Sequence, residues 1–331
     1  MTSNTNTDQS DVPTQTRIIL DTDMAMGVPG SDIDDGFALA LALAEPTIRV
    51  ELVTTVNGNA DVESASFLSG ELLARLGFPE IPVIAGAAAP LTAPDKRRGV
   101  PAAIREQFGH HLPQPGYAAA ELASRAAAEP GEITVVAIGP LTNVAAAINL
   151  DPDFARNVKE IVIMGGVFLA HTNRQSMPGE FNFWVDPEAA DAVLRSGATI
   201  RLVGLDVTLQ VRLTREHAEV MRASKSQFGT FAGECTLGWI DQMAKWSPGD
   251  PEAARSCAMH DPLAVAAISR PELLIWAAAH VAVATGPTIA RGVAVADFLH
   301  GDKPPAANAR VAVGVDVEGF ISYFLARVSS I

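Results

Sequence analysis

The sequence predicts a single α/β domain with a mostly parallel open sheet and helices on both faces. Short β-branched runs alternate with longer amphipathic stretches from residue 17 onward, which is the pattern of βαβ units. The chain of 331 residues is long enough for one large domain. It shows no internal repeat, low-complexity linker or charge block between residues 17 and 331. One continuous domain is therefore favoured over two.

The individual elements follow from short runs rich in Val and Ile and from the longer stretches between them. Strands are expected at Ile18–Leu20, Val50–Val56, Ile81–Ala85, Ile133–Ile138, Ile161–Met164 and Thr199–Leu205. Helices are expected at Asp34–Ala44, Val62–Leu76, Ala118–Ala128, Val144–Ile148, Pro187–Ser196 and Gln227–Lys245. The pattern after His260 predicts one more helix, strand-like runs at Val281–Ala284 and Arg310–Val313, and a final short helix.

Unusual polar residues follow one predicted strand after another. DTD follows the first strand, NGN the second, GPLTN the fourth and GG the fifth. In an open parallel sheet, the ligand crevice lies outside the carboxyl ends of the strands. These loops are therefore expected to meet and form one site at that edge of the sheet.

The charge balance excludes two classes of partner. There are 24 Lys plus Arg against 38 Asp plus Glu, which gives a formal charge of −14. A chain this acidic repels phosphate backbones and anionic membrane surfaces, so neither nucleic acid nor a membrane is expected as a partner. The longest unbroken apolar run, at residues 36–44, is shorter than the ~20 residues of a spanning helix.

The N-terminus and the cysteines point to a cytoplasmic protein. Residues 1–16 contain no Lys or Arg and no apolar core, so they match neither a secretory signal nor a transit peptide. They are expected to be a disordered lead before a catalytic domain at residues 17–331. Cys235 and Cys257 are the only cysteines, too few for a disulfide framework and too isolated for a zinc site.

A cluster of carboxylates stands near the start of the predicted domain. Five of them lie within fifteen residues, with no Lys or Arg among them: Asp21, Asp23, Asp32, Asp34 and Asp35. A hard divalent cation such as Ca²⁺ would offset their mutual repulsion, since it takes roughly 6 to 8 oxygen ligands. The structural alternative is that Asp32 caps the next helix and that Asp34 and Asp35 occupy its first turn.

A linear calcium loop does not explain the cluster. An EF-hand loop needs an oxygen ligand at position 5, Gly at 6 and Glu at 12, whereas counting from Asp21 gives Ala25, Met26 and Asp32. Further ligands must then come from elsewhere in the chain. The best distant donor is His260-Asp261-Pro262, where Pro262 suits the first turn of a helix and Asp261 its cap.

An ordered set of motifs gives the chain a family resemblance. The motifs are IILDTD, DIDDGFALALAL, TTVNGN, VVAIGPLTN, IVIMGG, EFNFWVDPEAA, VGLDVT and MHDPLAVA. Over essentially residues 17 to 330, this set resembles the inosine-uridine-preferring nucleoside hydrolase family. The resemblance implies calcium-dependent hydrolysis of ribonucleosides to free base and ribose, in nucleoside catabolism and purine salvage. It also implies a homodimer or homotetramer.

The resemblance also implies roles for individual residues. Asp23 would bind calcium and act as general base on the calcium-bound water. Asp35, Asp261 and the backbone carbonyl of Ile138 would be further calcium ligands. Ribose hydroxyls would be held by Asp34, Asn59, Asn173, Glu180 and Asn182. His260 would donate a proton to the base, and Trp246 would stack on it.

These implied roles agree with the chemistry of the reaction. Cleavage of an N-glycosidic bond passes through an oxocarbenium-like state in which positive charge grows on the sugar. Carboxylates around the sugar stabilise that charge. Calcium lowers the pKa of its bound water and can hold sugar hydroxyls, and Asp23 then needs only to accept a proton.

The sequence departs from the family pattern in two loops. The family commonly has DxDPGxDD, whereas DTDMAMGVPGSDIDD carries seven extra residues here, and these add Asp32 as a rival ligand. Many members place a His-Gly pair after the third strand, where residues 95–112 contain only Gly109-His110-His111. Contacts to the base are therefore the least defined part of the site. Asn143 of GPLTN is expected to cap or bond within its own turn.

Two other functions stay open at this point. A haloacid-dehalogenase-like phosphatase would also use DTD after the first strand, but it needs an acidic pair where Met164-Gly165-Gly166 follows the fifth strand. A non-catalytic nucleoside- or sugar-binding protein would keep the pocket without turnover. Substitution of Asp23 separates an enzyme from such a binding protein.

Overall fold

The computed structural model describes residues 15–169, 176–299, 301 and 303–331. The strands are β1 (Thr16–Thr22), β2 (Ile48–Thr55), β3 (Val83–Ala85), β4 (Ile133–Ala137), β5 (Glu160–Met164), β6 (Ile200–Val203), β7 (Arg212–Thr214), β8 (Ser256–Ala258), β9 (Leu274–Val283), β10 (Ala294–Asp297) and β11 (Ala309–Val315). The helices are α1 (Asp34–Ala44), α2 (Val62–Leu76), α3 (Ala102–Phe108), α4 (Ala118–Ala128), α5 (Thr142–Leu150), α6 (Phe154–Asn157), α7 (Phe181–Val185), α8 (Pro187–Leu194), α9 (Leu205–Thr208), α10 (Arg215–Arg222), α11 (Gln227–Trp246), α12 (His260–Ser269) and α13 (Val317–Val328).

The predicted mostly parallel sheet is confirmed. Its nine strands in the described residues run in the order β10-β9-β11-β6-β5-β4-β1-β2-β3. Neighbours from β11 to β3 are parallel, whereas β9 is antiparallel to both β11 and β10. The chain moves outward from β1 to β3 and then returns to β4 on the other side of β1. This reversal makes β1 and β4 the topological switch point, where open α/β sheets bind their ligands.

Helices cover both faces of the sheet, as predicted. One face packs against α1, α2, α11, α12 and α13, and the ring of Phe37 meets Phe228 and Phe324 edge-on there, at centroid distances of 5.9 and 5.6 Å. The other face packs against α4, α5 and α8 around the buried Phe154 and Phe183. Among the described helices, none has both the length and the apolarity that a membrane crossing requires.

The longer predicted helices agree with the structure, whereas β9 was predicted only at its end, as Val281–Ala284, and several short elements were missed. The bounds of α1, α2 and α4 coincide with the expected ones. The side chain of Asp61 caps α2 at one end and Gly77, at φ +86°, ends it at the other, which are strong local signals. Eight elements were not predicted, because three to eight residues show too little periodicity: β7, β8, β10, α3, α6, α7, α9 and α10.

The predicted disordered lead is only partly covered by the described residues. Residues 1–14 lie outside them, and Thr16 already belongs to β1. Thr16 pairs with Ile48 at the start of the parallel ladder between β1 and β2. The ordered chain therefore begins at least one residue earlier than the predicted boundary at residue 17.

Candidate active site

The carboxyl ends of β1 and β4 meet the N-termini of α1 and α12 at the switch point. Ile138, just after β4, donates its backbone N–H to the carbonyl of Asp21 at 2.8 Å. Across the site, the backbone N–H of Asp261 donates to Asp34 Oδ2 at 3.0 Å. The partial positive charge of a helix N-terminus favours carboxylates. Helices α1 and α12 pack against each other, and their first turns carry Asp34, Asp35 and Asp261.

Three carboxylates form the centre of this site. Asp34, Asp35 and Asp261 each offer an oxygen atom, and these atoms lie within 4.8 Å of one another. The residues are 2%, 0% and 3% exposed, respectively. The hydroxyl of Thr22 donates a hydrogen bond to Asp35 Oδ1. The first turn of α1 and the first turn of α12 thus bring together residues that are more than 200 positions apart in the sequence.

Several oxygens in and beside this cluster lack hydrogen-bond partners. In the part of the chain that the structure describes, Asp21 Oδ2, Asp23 Oδ1 and Asp35 Oδ2 are buried and accept no hydrogen bond. Buried polar atoms are nearly always paired, so the unpaired oxygens of Asp23 and Asp35, whose charges act on each other and on neighbouring aspartates, indicate a place for a cation. The donor set, which is all oxygen, fits a hard divalent ion.

Burial without a cation disfavours ionisation of these carboxylates. It raises the pKa of Asp23 and of Asp34 to about 7, and the negative charge of a neighbouring aspartate acts in the same direction. The pKa values of Asp35 and Asp261 are also well above their ordinary value, mainly because of burial. A bound cation would reverse this effect by favouring the charged forms.

Asp23 is held by the loop that follows β2. The backbone N–H of Asn59 donates to Asp23 Oδ2 at 2.5 Å. A Cβ atom at Gly58 would lie 2.0 Å from the same oxygen, so glycine is required there by the close approach of the carboxylate. The NGN motif therefore orients Asp23, while its Oδ1 stays available.

Glu180 and Asn182 lie at the carboxyl ends of β4 and β5, next to Ile138 and Gly166. Glu180 caps α7, because its carboxylate accepts the backbone N–H groups of Asn182, Phe183 and Gly166 at 2.7 to 3.1 Å. Asn182 Nδ2 donates to the carbonyls of Ile138 and Met164 at 2.9 and 3.1 Å. Asn182 thus uses its amide hydrogens within the protein and keeps Oδ1 for a ligand.

The tautomer of His260 follows from its neighbour Thr208. Thr208 Oγ1 lies 2.7 Å from His260 Nδ1, and this buried hydroxyl has no other hydrogen-bond partner among the described residues. The hydroxyl therefore donates to Nδ1, which places the ring hydrogen on Nε2. Burial lowers the pKa of His260 and favours the neutral ring. His260 can thus present Nε2–H to a ligand.

Two predicted contacts with the substrate are less well placed. Trp246 is the last residue of α11, is 54% exposed and meets Trp239 edge-on at a centroid distance of 5.7 Å. Asn173 lies outside the described residues. The roles of both therefore stay predictions.

Three local interpretations were wrong, although Asp34 and Asp35 do occupy the first turn of α1, as the structural alternative has it. Asp32 does not cap α1: its carboxylate accepts the N–H of Ile33 at 2.8 Å, and Ile33 itself stands at the N-cap position. Asp261 is not a cap either, because α12 begins one residue before it. Asn143 does not bond within its own turn. Its amide donates to Asp21 Oδ1 and to the carbonyl of Thr55 at 2.8 and 2.9 Å.

A basic loop lies at the edge of the site. Arg98 donates its backbone N–H to Asn57 Oδ1 at 2.8 Å and a guanidinium N–H to the carbonyl of Asn59 at 2.9 Å. The Lys96 ammonium lies 3.9 Å from the ring centroid of Trp184 and donates to its carbonyl. Sequence reasoning missed both residues. The signal was the run Lys96-Arg97-Arg98 in an otherwise acidic chain.

A comparison with protein families identifies the family of the chain. The model of the inosine-uridine preferring nucleoside hydrolases matches residues 18–322. The chain belongs to this family. It is accordingly a hydrolase that acts on the N-glycosyl bonds of ribonucleosides, and the phosphatase alternative is set aside.

Individual relatives agree with this assignment over most of the chain. The chain is 35% identical to a probable uridine nucleosidase 1 of rice over 276 residues, 81% of each protein. It is 33% identical to the pyrimidine-specific ribonucleoside hydrolase RihA of Citrobacter koseri, over 89% of this chain and 95% of the relative. A solved plant nucleoside hydrolase, PpNRh1, superposes with a TM-score of 0.83 at 30% identity, over 96% and 99% of the two chains.

Proposed function

We propose that this hydrolase is calcium-dependent and that Asp23 accepts a proton from the attacking water. The observation that carries the proposal is the group of unpaired, buried carboxylate oxygens at the switch point, which includes Asp23 Oδ1 and Asp35 Oδ2. A folded chain that buries so many carboxylates side by side must either protonate them or place a positive charge among them, and a bound cation leaves them ionised for catalysis.

The residues that would hold the ion are Asp23, Asp35, Asp261 and the backbone carbonyl of Ile138. All four offer oxygen atoms. Calcium prefers oxygen ligands, whereas softer metals prefer nitrogen or sulfur. Ile138 already accepts one hydrogen bond from Asn182, and a carbonyl has a second lone pair for a cation. When bound, calcium would lower the pKa of a water molecule and orient sugar hydroxyls.

The ribose would be held by the polar side chains around this ion. Asp34 would accept sugar hydroxyls from one side, together with Asn59, and Asn182 would accept through Oδ1 on the other. Glu180 and Asn173 complete the proposed set. A site that hydrogen-bonds each hydroxyl rejects analogues that lack one, since buried groups would then stay unpaired. Deoxyribonucleosides are therefore expected to be poor substrates.

The reaction would exchange a C1′–N bond for a C1′–O bond. As the base leaves with the bonding electrons, positive charge grows on the ribose and the surrounding carboxylates stabilise it. Asp23 takes one proton from the attacking water, and the neutral ring of His260 donates an Nε2–H hydrogen bond to the departing base, which ends with the proton that the water has lost. Free base and ribose are the products.

The base-binding residues and the names of two relatives suggest which substrate to test first. Trp246 would stack on the base, and Arg98 lies within reach of the loop that carries Asn59. The two relatives described above are named for uridine and pyrimidine ribonucleosides, so uridine comes first. Assembly as a homodimer or homotetramer stays a prediction.

A hydrolysis panel tests the proposal. The purified protein is assayed for ribose release from uridine, cytidine, inosine and adenosine after exhaustive chelation, and then with calcium added back. We expect turnover of at least one ribonucleoside only with the ion present. Failure to cleave any of them in calcium would refute the proposed activity, and full turnover in the chelated protein would refute the calcium requirement.

A further inference from the structure

A second cluster of ligand-forming side chains lies outside the proposed active site. Glu71 comes from the middle of α2, and His110 and His111 come from the turn after α3. One ligand atom from each residue lies within 4.8 Å of the other two. We propose that this cluster, called here the histidine cluster, is a binding site for a late first-row divalent metal ion such as Zn²⁺.

The donor set selects this class of ion. Two imidazoles and one carboxylate are typical ligands of Zn²⁺, with metal–nitrogen distances of about 2.0–2.1 Å, whereas Ca²⁺ and Mg²⁺ prefer oxygen donors alone. Three protein ligands leave a fourth position of a tetrahedron for water. The site around Asp23 and Asp35, which has only oxygen donors, therefore prefers a hard ion such as Ca²⁺, whereas the histidine cluster prefers Zn²⁺.

The two histidines are already arranged for a common ligand. Their rings lie 4.1 Å apart between centroids, at an interplanar angle of 42°, and His111 Nε2 is 2.6 Å from Glu71 Oε2. For His110, whose side chain is exposed, the described residues supply this ring contact and no hydrogen bond. A shift of the His110 and His111 rings would bring three donors around one ion.

Residues around the cluster hold Glu71 in place. Arg75 Nη2 lies 2.6 Å from Glu71 Oε1, so one carboxylate oxygen is fixed and the other faces the histidines. The Arg75 guanidinium in turn stacks over Phe231 at 4.3 Å from the ring centroid. Carboxylates that bind metals are commonly hydrogen-bonded in this way, which fixes the orientation of the donor atom.

The packing also leaves room for His111. A Cβ atom at Gly70 would lie 2.8 Å from His111 Cβ, so the absence of a side chain at Gly70 allows the close approach to α2. His111 also lines a cavity of about 160 Å³, into which its ring can adjust. A metal ion here would join α2 to the segment that follows α3.

The test uses untagged protein, because a polyhistidine tag would bind the same metals. The full chain is freed of metal and held in excess calcium, and its melting temperature is measured with and without ZnSO₄. We expect zinc to raise the Tm by at least about 2 °C. Co²⁺ should give visible absorption bands of nitrogen and oxygen coordination.

Substitutions test whether the zinc-induced rise in Tm and the cobalt bands come from the histidine cluster. H110A removes an exposed ring and should lose most of the zinc shift and the cobalt bands, and E71Q should weaken both. E106Q, a nearby exposed position on α3, and H280A are matched controls that should keep both signals. A wild-type protein without a zinc shift, or an H110A variant with the wild-type shift, would overturn the proposal. Neither readout depends on hydrolysis of a nucleoside.

Discussion

The two metal-competent clusters of this protein differ in burial and in donor type. The cluster at the carboxyl ends of β1 and β4 consists of carboxylates that are at most 3% exposed, and the oxygens Asp23 Oδ1 and Asp35 Oδ2 lack hydrogen-bond partners among the described residues. The histidine cluster mixes nitrogen with oxygen, includes the exposed His110, and pairs His111 directly with Glu71. Both bring together residues that are far apart in the sequence.

The difference shows how burial decides whether a cation is required. The Glu71 carboxylate is stable without a metal, since one of its oxygens is paired with Arg75 and the other with His111. Buried carboxylates without partners are costly unless they are protonated or bind a cation. The protein should therefore depend on calcium in the buried carboxylate cluster at the carboxyl ends of β1 and β4. A metal in the histidine cluster should add stability without being essential.

Asp23→Ala gives the largest expected effect and tests whether the buried cluster is catalytic. Loss of the general base and of one ligand should lower kcat for uridine by about 10²–10⁴-fold. The measurement is initial-rate hydrolysis in saturating calcium, with circular dichroism to verify folding. Asp241→Ala, at an exposed position on α11, is the matched control. An Asp23→Ala rate within tenfold of the control would mean that Asp23 is not the base.

Chelation at different pH values tests how strongly the buried cluster needs its cation. In the metal-free protein, burial raises the pKa of Asp23 and of Asp34 to about 7 from an ordinary value of 3.8. Raised values mean that the native state holds these protons more tightly than the unfolded chain, so stability falls as the pH rises through about 7.

The expected result is a melting temperature of the chelated protein that decreases from about pH 5 to about pH 8. Calcium binds the ionised carboxylates, so it should raise the Tm more at the higher pH. Differential scanning calorimetry in matched buffers measures both quantities. An equal effect of calcium at the two pH values would contradict the proposed link between burial and metal binding.

Thr208→Val gives the smallest of these effects and tests the orientation of His260. Loss of one hydrogen bond of about 1.4 kcal/mol should lower kcat for uridine about tenfold, because Nε2 is then no longer the preferred site of the ring hydrogen. Thr208→Ser keeps the hydroxyl and should retain most of the activity.

A second substrate separates orientation from folding in the same variant. A ribonucleoside analogue whose leaving group is a stable anion needs no hydrogen bond from His260 Nε2, so Thr208→Val should cleave it at nearly the wild-type rate. Equal losses on both substrates would show that Thr208 acts through the general structure of the site.

The sequence predicted the parts of the site that follow strands or begin helices. Asp23 and Asn59 could be placed because DTD and NGN end runs of apolar residues, and Asp34 and Asp35 because they open a long apolar helix. Thr208 and Asn143 were not assigned such roles. Their partners, His260 and Asp21, are 52 and 122 residues away, and no local pattern records such a contact.

The insertion after Asp23 shows a similar limit for the fold. Met24, Ala25 and Met26 are completely buried, and a Cβ atom at Gly27 would lie 2.8 Å from Leu68 and 3.1 Å from Phe231. The segment is thus packed beneath α2 and α11. The sequence did not indicate this burial, because the apolar residues of the segment show no helix or strand period. Its packing depends on two helices that come later in the chain.

The hydrogen bond between Asp261 and Asp34 joins residues that are 227 positions apart. During synthesis, the DTD and DIDD segments leave the ribosome long before the HDP segment exists. The proposed cation site therefore cannot be completed until nearly the whole chain has been made, since domains assemble as their segments emerge. Acquisition of the ion would mark the end of folding, and a truncated nascent chain could not acquire it early through the same set of ligands.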